Sequence, residues 1–329
     1  MTTGSEKVTA GAATKILSGP ENLPRRVPPN DRATAPSTAS LAFADALPEA
    51  QSLLLTRADS QDAEDWDEFV EQHPEGRFCH LWGYKRVLEE AVGYKCVYLN
   101  ILSDGRRAGV FPSIIVRRGS GRLVSQPFNE YGGPLTQGLS EDQLRLLPEL
   151  LMQVAAEEGC QTVEIRGGIG CETMEKSELC RKRPLHFYGT LDLAPKEQLW
   201  RKSLTHEARK DVARAEREGL QAEVRCGMEA VGGRFYDLYL KSMKRLGVPP
   251  HSHRFFTSLA ETLGNRLVAA WIASEAMVAA VLLGVTTGSR VHIFVTASDS
   301  RAWRMRPNDL AHWKLVEWAA SAGFKTFDF

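Results

Sequence analysis

Strand-like apolar runs separated by polar turns recur in two parts of the chain. In the first part, "CVYLNIL" and "AGVFPSIIV" flank Asp104-Gly105, a dipeptide that is typical of a tight β-hairpin turn. The strand "RLVSQPF" follows. A helix then begins at the capping box Ser140–Gln143 and ends at Gly159, before the strand "QTVEIRGG". This order predicts a mostly antiparallel sheet with helices against it.

The second part repeats this plan without repeating the residues. Residues 265–298 read as three strands joined by short polar turns. The next helix has Pro307 in its first turn and Gly323 just past its end, the positions that these residue types favour. Two such copies predict the α+β class, with two tandem domains, each a mostly antiparallel sheet flanked by helices.

The boundaries of these domains follow from length and composition. The chain has 329 residues, which suits two domains of about 150 residues each. Residues 1–48 are rich in Pro, Ala, Ser and Thr and poor in large apolar residues, which predicts a disordered tail. We therefore expect a first domain over 49–190 and a second over 191–329.

Overall charge excludes some partners and leaves others open. Lys plus Arg and Asp plus Glu both total 41, so no overall field favours DNA or an anionic membrane, and any basic patch must be local. The chain shows no signal-peptide pattern and no run of 18 apolar residues, which predicts a cytoplasmic protein without a transmembrane segment. His251 and His253 have no carboxylate placed to complete a metal site, so no bound metal is expected.

The segment "PKEQLWRKSLTHEARKDVARAEREGL" predicts one continuous helix over Pro195–Leu220 with an apolar stripe and a basic face. On the basic face, Lys202, His206, Arg209 and Lys210 either form a solvated surface or hold an anionic substrate or RNA phosphates. If they bind substrate, alanine at Arg209 or Lys210 should raise the dissociation constant and leave the melting temperature almost unchanged.

Three arginines precede the helix that begins near Pro307. They are Arg301, Arg304 and Arg306. Arginines beside the first turn of a helix suit an anion, because the free N–H groups and the helix dipole act with them. The alternative is that they are simply exposed arginines in a loop.

Several stretches together resemble a known family. "SQPFNEYGGP", "LWRKSLTHEARKDVARAEREGL", "YLKSMKRLGVPPHSHRFF" and "RMRPNDLAHWKLVEWAASAGFKTFDF" resemble the FemAB-like proteins found with exosortase/PEP-CTERM and exopolysaccharide gene sets, a branch of the GNAT superfamily. The resemblance covers about Leu53 to Phe329. It implies two tandem GNAT-like domains with a cleft between them. It also implies transfer of an acyl group, or of an amino acid from aminoacyl-tRNA, onto an amine.

The resemblance also assigns roles to residues. It places "NEYGGP" at the mouth of the cleft, with Gly132 and Gly133 as a turn that lets the backbone approach the substrate. The candidates for positioning the reactants or stabilising the oxyanion are Asn129, Tyr131 and Asn308. The candidates for holding phosphate or carboxylate groups are Lys202, His206, Arg209, Lys210 and Arg306.

The leading hypothesis is a cytoplasmic N-acyltransferase of cell-envelope or exopolysaccharide metabolism, with no bound cofactor. Its co-substrate would be acyl-CoA or aminoacyl-tRNA, so tRNA is a possible partner. Its acceptor would be an amine on a small molecule, peptide or glycan.

GNAT proteins wrap the CoA pyrophosphate in a glycine-rich loop. No glycine lies between Val291 and Ala322, which argues against ordinary CoA binding. The alternative is a non-catalytic binding module in a polysaccharide biosynthesis complex. Because relatives continue past "FDF", we also expect the second domain to be truncated at Phe329.

Overall fold

Two mixed β-sheets, each flanked by helices, form the core of the structure, which is a computed structural model. It describes residues 13–18, 52–117, 119–129, 131–167, 171–174, 176–184 and 189–329. The α+β class with two tandem sheet domains is confirmed. Within the described part of the chain, no helix is long and apolar enough to cross a membrane.

The first sheet is built from the N-terminal half of the chain. Its strands are Ala13–Ser18 (β1), Leu53–Arg57 (β2), Lys95–Ser103 (β3), Arg106–Val116 (β4), Arg122–Ser125 (β5), Leu135–Thr136 (β6), Thr162–Arg166 (β7) and Cys180–Pro184 (β8). Its helices are Ala63–Gln72 (α1), Trp82–Val87 (α2), Glu141–Glu157 (α3) and Cys171–Met174 (α4). The strand order is β2-β3-β4-β5-β7-β1-β8, and β6 pairs with β4.

The local sequence signals of this half are confirmed. Asp104 and Gly105 have φ values of 51° and 75° and join β3 to β4, as a hairpin turn with two left-handed residues requires. The Ser140 side chain accepts from the Gln143 N–H, and the Gln143 side chain accepts from the Ser140 N–H, which begins α3 with a full capping box.

The second sheet contains the remaining strands. They are Thr190–Asp192 (β9), Gln221–Cys226 (β10), Leu267–Ala273 (β11), Val278–Thr287 (β12), Arg290–Ser298 (β13) and Thr326–Asp328 (β14), in the order β10-β11-β12-β13-β14-β9. Its helices are Lys196–Gln198 (α5), His206–Arg217 (α6), Phe235–Leu246 (α7), His253–Leu263 (α8) and Pro307–Ser321 (α9). The predicted meander and the helix beginning at Pro307 are both present.

The predicted continuous helix over Pro195–Leu220 is wrong in its middle. After α5 the chain makes a π-helical turn over 199–203, and Leu204 then adopts an extended conformation with ψ of 134°. Thr205 caps the new helix α6 by accepting from the Ala208 N–H at 3.1 Å. A threonine that caps a helix start competes with helix continuation, and this local capping outweighs the helical periodicity of the apolar residues.

Apolar residues of both halves share one buried cluster. It joins α1 and α2 of the first half to α7, α8 and one face of the second sheet. The opposite face of the second sheet is covered by α6 and α9. The two halves therefore bury apolar surface against each other.

The predicted tail over residues 1–48 falls almost entirely outside the described residues. The exception is β1, which pairs with β7 and β8 in antiparallel register. For these six residues the structure has a strand where the composition predicts disorder.

Candidate active site between the two domains

The loop after β5 begins the candidate site. Gln126 and Phe128 adopt positive φ values of 29° and 68°, which are uncommon for residues with a side chain and mark local strain. Gly133 donates from its N–H to the Arg166 carbonyl at 3.0 Å, and a Cβ at Gly133 would lie 1.6 Å from the Gly167 oxygen. Gly133 is thus required by close approach to the first domain's own backbone, a reason the sequence did not suggest.

Amide side chains fill the space under this loop. Gln126 donates to the Tyr98 hydroxyl at 3.0 Å, and Asn129 donates to the Pro127 carbonyl at 3.1 Å. The side-chain oxygens of Gln126 and Asn129 are buried and accept no hydrogen bond from the described residues. Burial raises the pKa of the Tyr98 hydroxyl well above its ordinary value, so that hydroxyl stays neutral. The loop therefore presents two buried acceptors with capacity for a donor group.

Tyr131 lies where the two domains meet. Its ring is 5.3 Å from the His292 ring of β13 in an edge-to-face arrangement, and the Arg77 guanidinium lies 4.9 Å from its centroid. Burial, and secondarily the charges of Arg77 and Arg290, lowers the pKa of His292 to about 3. His292 is therefore a neutral imidazole at physiological pH, and its buried Nδ1 has no hydrogen-bond partner in the described part of the chain.

A cluster of buried charged side chains lies beside Tyr131, where the two domains meet. The Arg77 Nε lies 3.0 Å from Asp328 Oδ2, and an Arg290 nitrogen lies 2.6 Å from Asp328 Oδ1. His80 accepts from the Arg77 N–H at its Nδ1, while its Nε2 lies 3.0 Å from the Gly133 carbonyl oxygen. Burial lowers the pKa of His80 to about 3, so it is a neutral imidazole that donates from Nε2.

Strand β13 has an open edge beside this cluster. Its parallel pairing with β14 covers only Arg290–His292. Against β12, Leu283 pairs with Val295 and Gly284 with Ile293, so Phe294 is the extra residue of a β-bulge. Ile293 to Thr296 are partly exposed. Their backbone groups on the β14 side have no strand partner among the described residues, which leaves N–H donors along this open edge.

The N-terminus of α9 follows β13 along the chain, after a 3₁₀ turn over Ser300–Met305. Arg306 occupies the left-handed region with φ of 59°, and Pro307 follows as the first helical residue. The Arg306 Nε lies 3.2 Å from Asp211 of α6, which ties the two helices together. The side-chain oxygen of Asn308 is buried and has no hydrogen-bond partner in the described residues. This end offers an anion the helix N–H groups and those Arg306 nitrogens that do not contact Asp211.

Similarity to known proteins agrees with this geometry. Residues 205–329 match the family model of the acetyltransferase (GNAT) domain. The crystal structure of FemX superposes with a TM-score of 0.62 at 12 % identity, covering 84 % of this chain and 88 % of FemX. The chain has the tandem GNAT fold. The C-terminal DUF2156 domain of a protein from Agrobacterium fabrum described as a putative lysylphosphatidylglycerol synthetase gives a TM-score of 0.53 at 13 % identity, covering 82 % of this chain and 78 % of that one. No curated protein sequence matches the chain.

The tandem GNAT fold places the predicted site residues in two groups. Asn129, Tyr131, Gly132 and Gly133 lie in the loop after β5, and Asn308 and Arg306 lie at the start of α9. The segment before α9 turns although it contains no glycine, because Arg306 itself adopts the left-handed conformation that glycine favours.

The basic residues of the α5–α6 segment have different environments. One terminal nitrogen of Arg209 donates to three backbone carbonyls, those of Trp200, Arg201 and Leu204, at 3.0, 3.3 and 2.7 Å. Arg209 therefore satisfies the end of the π-helical turn, which accounts for this side chain without a ligand. Lys202, His206 and Lys210 are exposed.

Sequence reasoning missed several residues of this candidate site. They are Arg77, His80, His292, Phe294 and Asp328. One weak signal was available: Arg77 and Asp328 each directly precede a phenylalanine in the short segments "GRFC" and "FDF", where large apolar residues lie next to a charged one. A charged residue in an apolar run points to a buried, paired side chain, but it does not identify the partner.

Proposed function

We propose that this protein is an N-acyltransferase that transfers an acyl or aminoacyl group onto an amine in the cleft between its two GNAT-like domains. The observation that carries this proposal is the open edge of β13 running toward the N-terminus of α9, within the half that matches the GNAT acetyltransferase domain. An open strand edge supplies backbone N–H donors for a carbonyl oxygen, and a helix start supplies an anion site.

The donor would lie along this open edge. Its phosphate groups would bind at the α9 N-terminus beside Arg306, and its acyl carbonyl would reach the β13 edge near Phe294. Six residues of a strand, Ile293 to Ser298, span roughly 20 Å, so the donor needs a long extended arm between its phosphates and its acyl carbon. Acyl-CoA suits this description, and the GNAT fold usually binds acetyl-CoA. Aminoacyl-tRNA remains the second candidate donor.

The chemistry is a nucleophilic acyl substitution. The neutral amine nitrogen of the acceptor attacks the donor carbonyl carbon, a C–N bond forms, and the thioester C–S or ester C–O bond breaks. The amine proton passes to the leaving group or to water. N–H groups of the β13 edge stabilise the oxyanion, while Asn129 and Tyr131 orient the acceptor amine and Asn308 orients the donor.

The acceptor would enter from the side of the first domain, where Tyr131 meets His292. The buried oxygen of Asn129 can accept from an amine N–H, and the neutral His292 adds no repulsive charge to an approaching ammonium group. The resemblance to FemAB-like proteins supports an amine acceptor of cell-envelope or exopolysaccharide metabolism. An association with exosortase/PEP-CTERM systems rests on the same resemblance.

Calorimetric titration with acetyl-CoA and, separately, with charged and uncharged tRNA tests the donor site. The informative variant is Arg306→Gly, because glycine keeps the left-handed turn and removes the guanidinium. We expect one donor to bind wild type and to bind Arg306→Gly about tenfold more weakly, since one charge-assisted contact contributes roughly 1.5–3 kcal/mol. Arg217→Ala, at the exposed end of α6, is the control and should bind normally. Binding of neither donor by the folded wild-type protein would contradict the proposal and favour a non-catalytic binding module.

A further inference from the structure

An exposed surface on the second domain combines apolar and basic side chains. Its apolar members are Leu246, Val248 and Trp303, which are 60 %, 51 % and 44 % exposed. Its basic members are Lys244, Arg245, Arg301 and Arg304. These seven residues, from the end of α7 and the turn before α9, are called the basic–apolar surface below.

Direct contacts join the two segments into one surface. The Arg245 guanidinium lies 4.5 Å from the centre of the Trp303 ring, in a cation–π arrangement. Arg245 also donates to the Ser298 carbonyl at 3.2 Å, and the Trp303 indole N–H donates to the Ser298 hydroxyl at 3.0 Å. The exposed tryptophan is therefore fixed next to the end of α7 and the apolar residues that follow it.

The surface is strongly positive although the whole chain carries no net formal charge. Residues 241–254 include four Lys or Arg and no Asp or Glu, and residues 300–306 include three Arg and no acid. The nearest acid along the chain, Asp299, is buried and paired with Arg301 at 2.8 Å. Charge complementarity therefore favours an anionic partner.

We propose that the basic–apolar surface docks the protein onto a membrane with anionic lipids. Lys and Arg near such a membrane are attracted to the lipid head groups, and tryptophan favours the interfacial region. Leu246 and Val248 can insert their side chains among the lipids, and that burial removes apolar surface from water. A nucleic acid would account for the cations but would leave the exposed leucine and valine without a role.

A cavity beside this surface fits a lipid head group. It has a volume of about 530 Å³ between α7 and the turn after β13. Its charged lining residues are Arg234, Asp237, Lys241, Asp299 and Arg301, three cations and two acids. Because Asp299 is already neutralised by Arg301, the cavity keeps a positive balance for a phosphate group.

Docking here is independent of the transferase activity, but it would orient the candidate site. Trp303 lies four positions before Pro307, so the basic–apolar surface is close along the chain to the start of α9. A membrane-bound protein would hold the start of α9 near the lipid surface.

Vesicle flotation with the full-length protein tests the proposal. One set of vesicles contains phosphatidylcholine alone, and the other contains phosphatidylcholine with phosphatidylglycerol. We expect binding to the anionic vesicles, little binding to the neutral ones, and weakening by added salt. The double variant Leu246→Ser/Val248→Ser should lower the partition coefficient at least about tenfold. Lys244→Glu should lower it about 30-fold, since it changes the charge by two.

Matched variants outside the surface provide the controls. Leu54→Ser removes a leucine of similar exposure in the first domain. Lys325→Glu reverses an exposed charge between α9 and β14, outside the basic–apolar surface. Both variants should bind vesicles as the wild type does. Absence of binding to anionic vesicles would overturn the proposal. Equal partitioning of wild type and both surface variants would also overturn it. If the wild type binds tRNA tightly but does not bind vesicles, and Lys244→Glu abolishes the tRNA binding, the surface would be assigned to nucleic acid.

Discussion

Arg77 of the first domain and Asp328 of the second are joined across the domain interface by a buried ion pair. The Arg77 Nε lies 3.0 Å from Asp328 Oδ2, and 2 % and 0 % of the two side chains are exposed. Arg290 binds the other carboxylate oxygen. Two guanidinium groups on one buried carboxylate hold the end of β14 against the first domain.

Asp328→Ala should lower the free energy of unfolding by about 3–5 kcal/mol, because it removes the buried carboxylate that the guanidinium groups of Arg77 and Arg290 share. Denaturant titration followed by tryptophan fluorescence measures this loss. Arg86→Ala is the control, since Arg86 pairs with Glu90 on the helix surface at 2.9 Å, and its loss should cost about 0.5 kcal/mol or less. A similar loss for both variants would show that the buried pair has no special role.

The stability of the protein should fall as the pH decreases from about 6.5 toward 3. Burial lowers the pKa values of His80 and His292 to about 3, so in this range the unfolded chain binds protons that the folded chain does not. Each histidine contributes a slope of about 1.4 kcal/mol per pH unit, and its contribution is fully present above pH 6.5.

Denaturant titrations across this pH range measure the slope. His292→Gln should remove about half of the slope that His80 and His292 contribute together. An identical pH profile for wild type and His292→Gln would contradict the assignment of a neutral, buried His292.

Arg209 and Lys210 should respond differently to alanine, although they are adjacent basic residues. Arg209→Ala removes the donor to three carbonyls of the π-helical turn and should cost about 1–3 kcal/mol of stability. Lys210→Ala should change stability by less than about 0.5 kcal/mol, because its side chain is exposed. Thermal unfolding of the two variants distinguishes this structural role from the substrate-binding role that the sequence predicted for both.

Gly133→Ala should destabilise the first domain by more than about 3 kcal/mol, since the new Cβ would collide with the Gly167 carbonyl. Gly189→Ala is the matched change, because nothing lies within 4 Å of a Cβ there, and it should be tolerated within about 0.5 kcal/mol. The expression level and the melting temperature of the Gly133→Ala and Gly189→Ala variants measure this difference. A well-folded Gly133→Ala protein would mean that the loop after β5 can move away from β7.

Elements set by neighbouring residues were predictable from the sequence. The Asp104-Gly105 turn, the Ser140 capping box and the helix beginning at Pro307 depend on side chains within a few positions, and each is present. The break at Leu204 was missed because a local cap and the Arg209 side chain together outweigh a helical pattern.

The site at the domain interface could not be assembled from the sequence. Arg77, His292 and Asp328 come together only through sheet pairing and domain packing, so no spacing in the chain relates them. The absence of glycine between Val291 and Ala322 gave no sign of the turn at Arg306, which adopts a left-handed conformation. Backbone conformation at a non-glycine residue has little signature in a single sequence.

Product formation tests the central claim most directly. Purified protein is incubated with acetyl-CoA or charged tRNA and with a panel of amine acceptors, including amino sugars and peptides, and products are followed by mass spectrometry. The account predicts an amide product whose mass equals that of the acceptor plus the acyl group, formed more slowly by Arg306→Gly at low donor concentration. Folded wild-type protein that binds acceptors but forms no product with either donor would contradict a transferase.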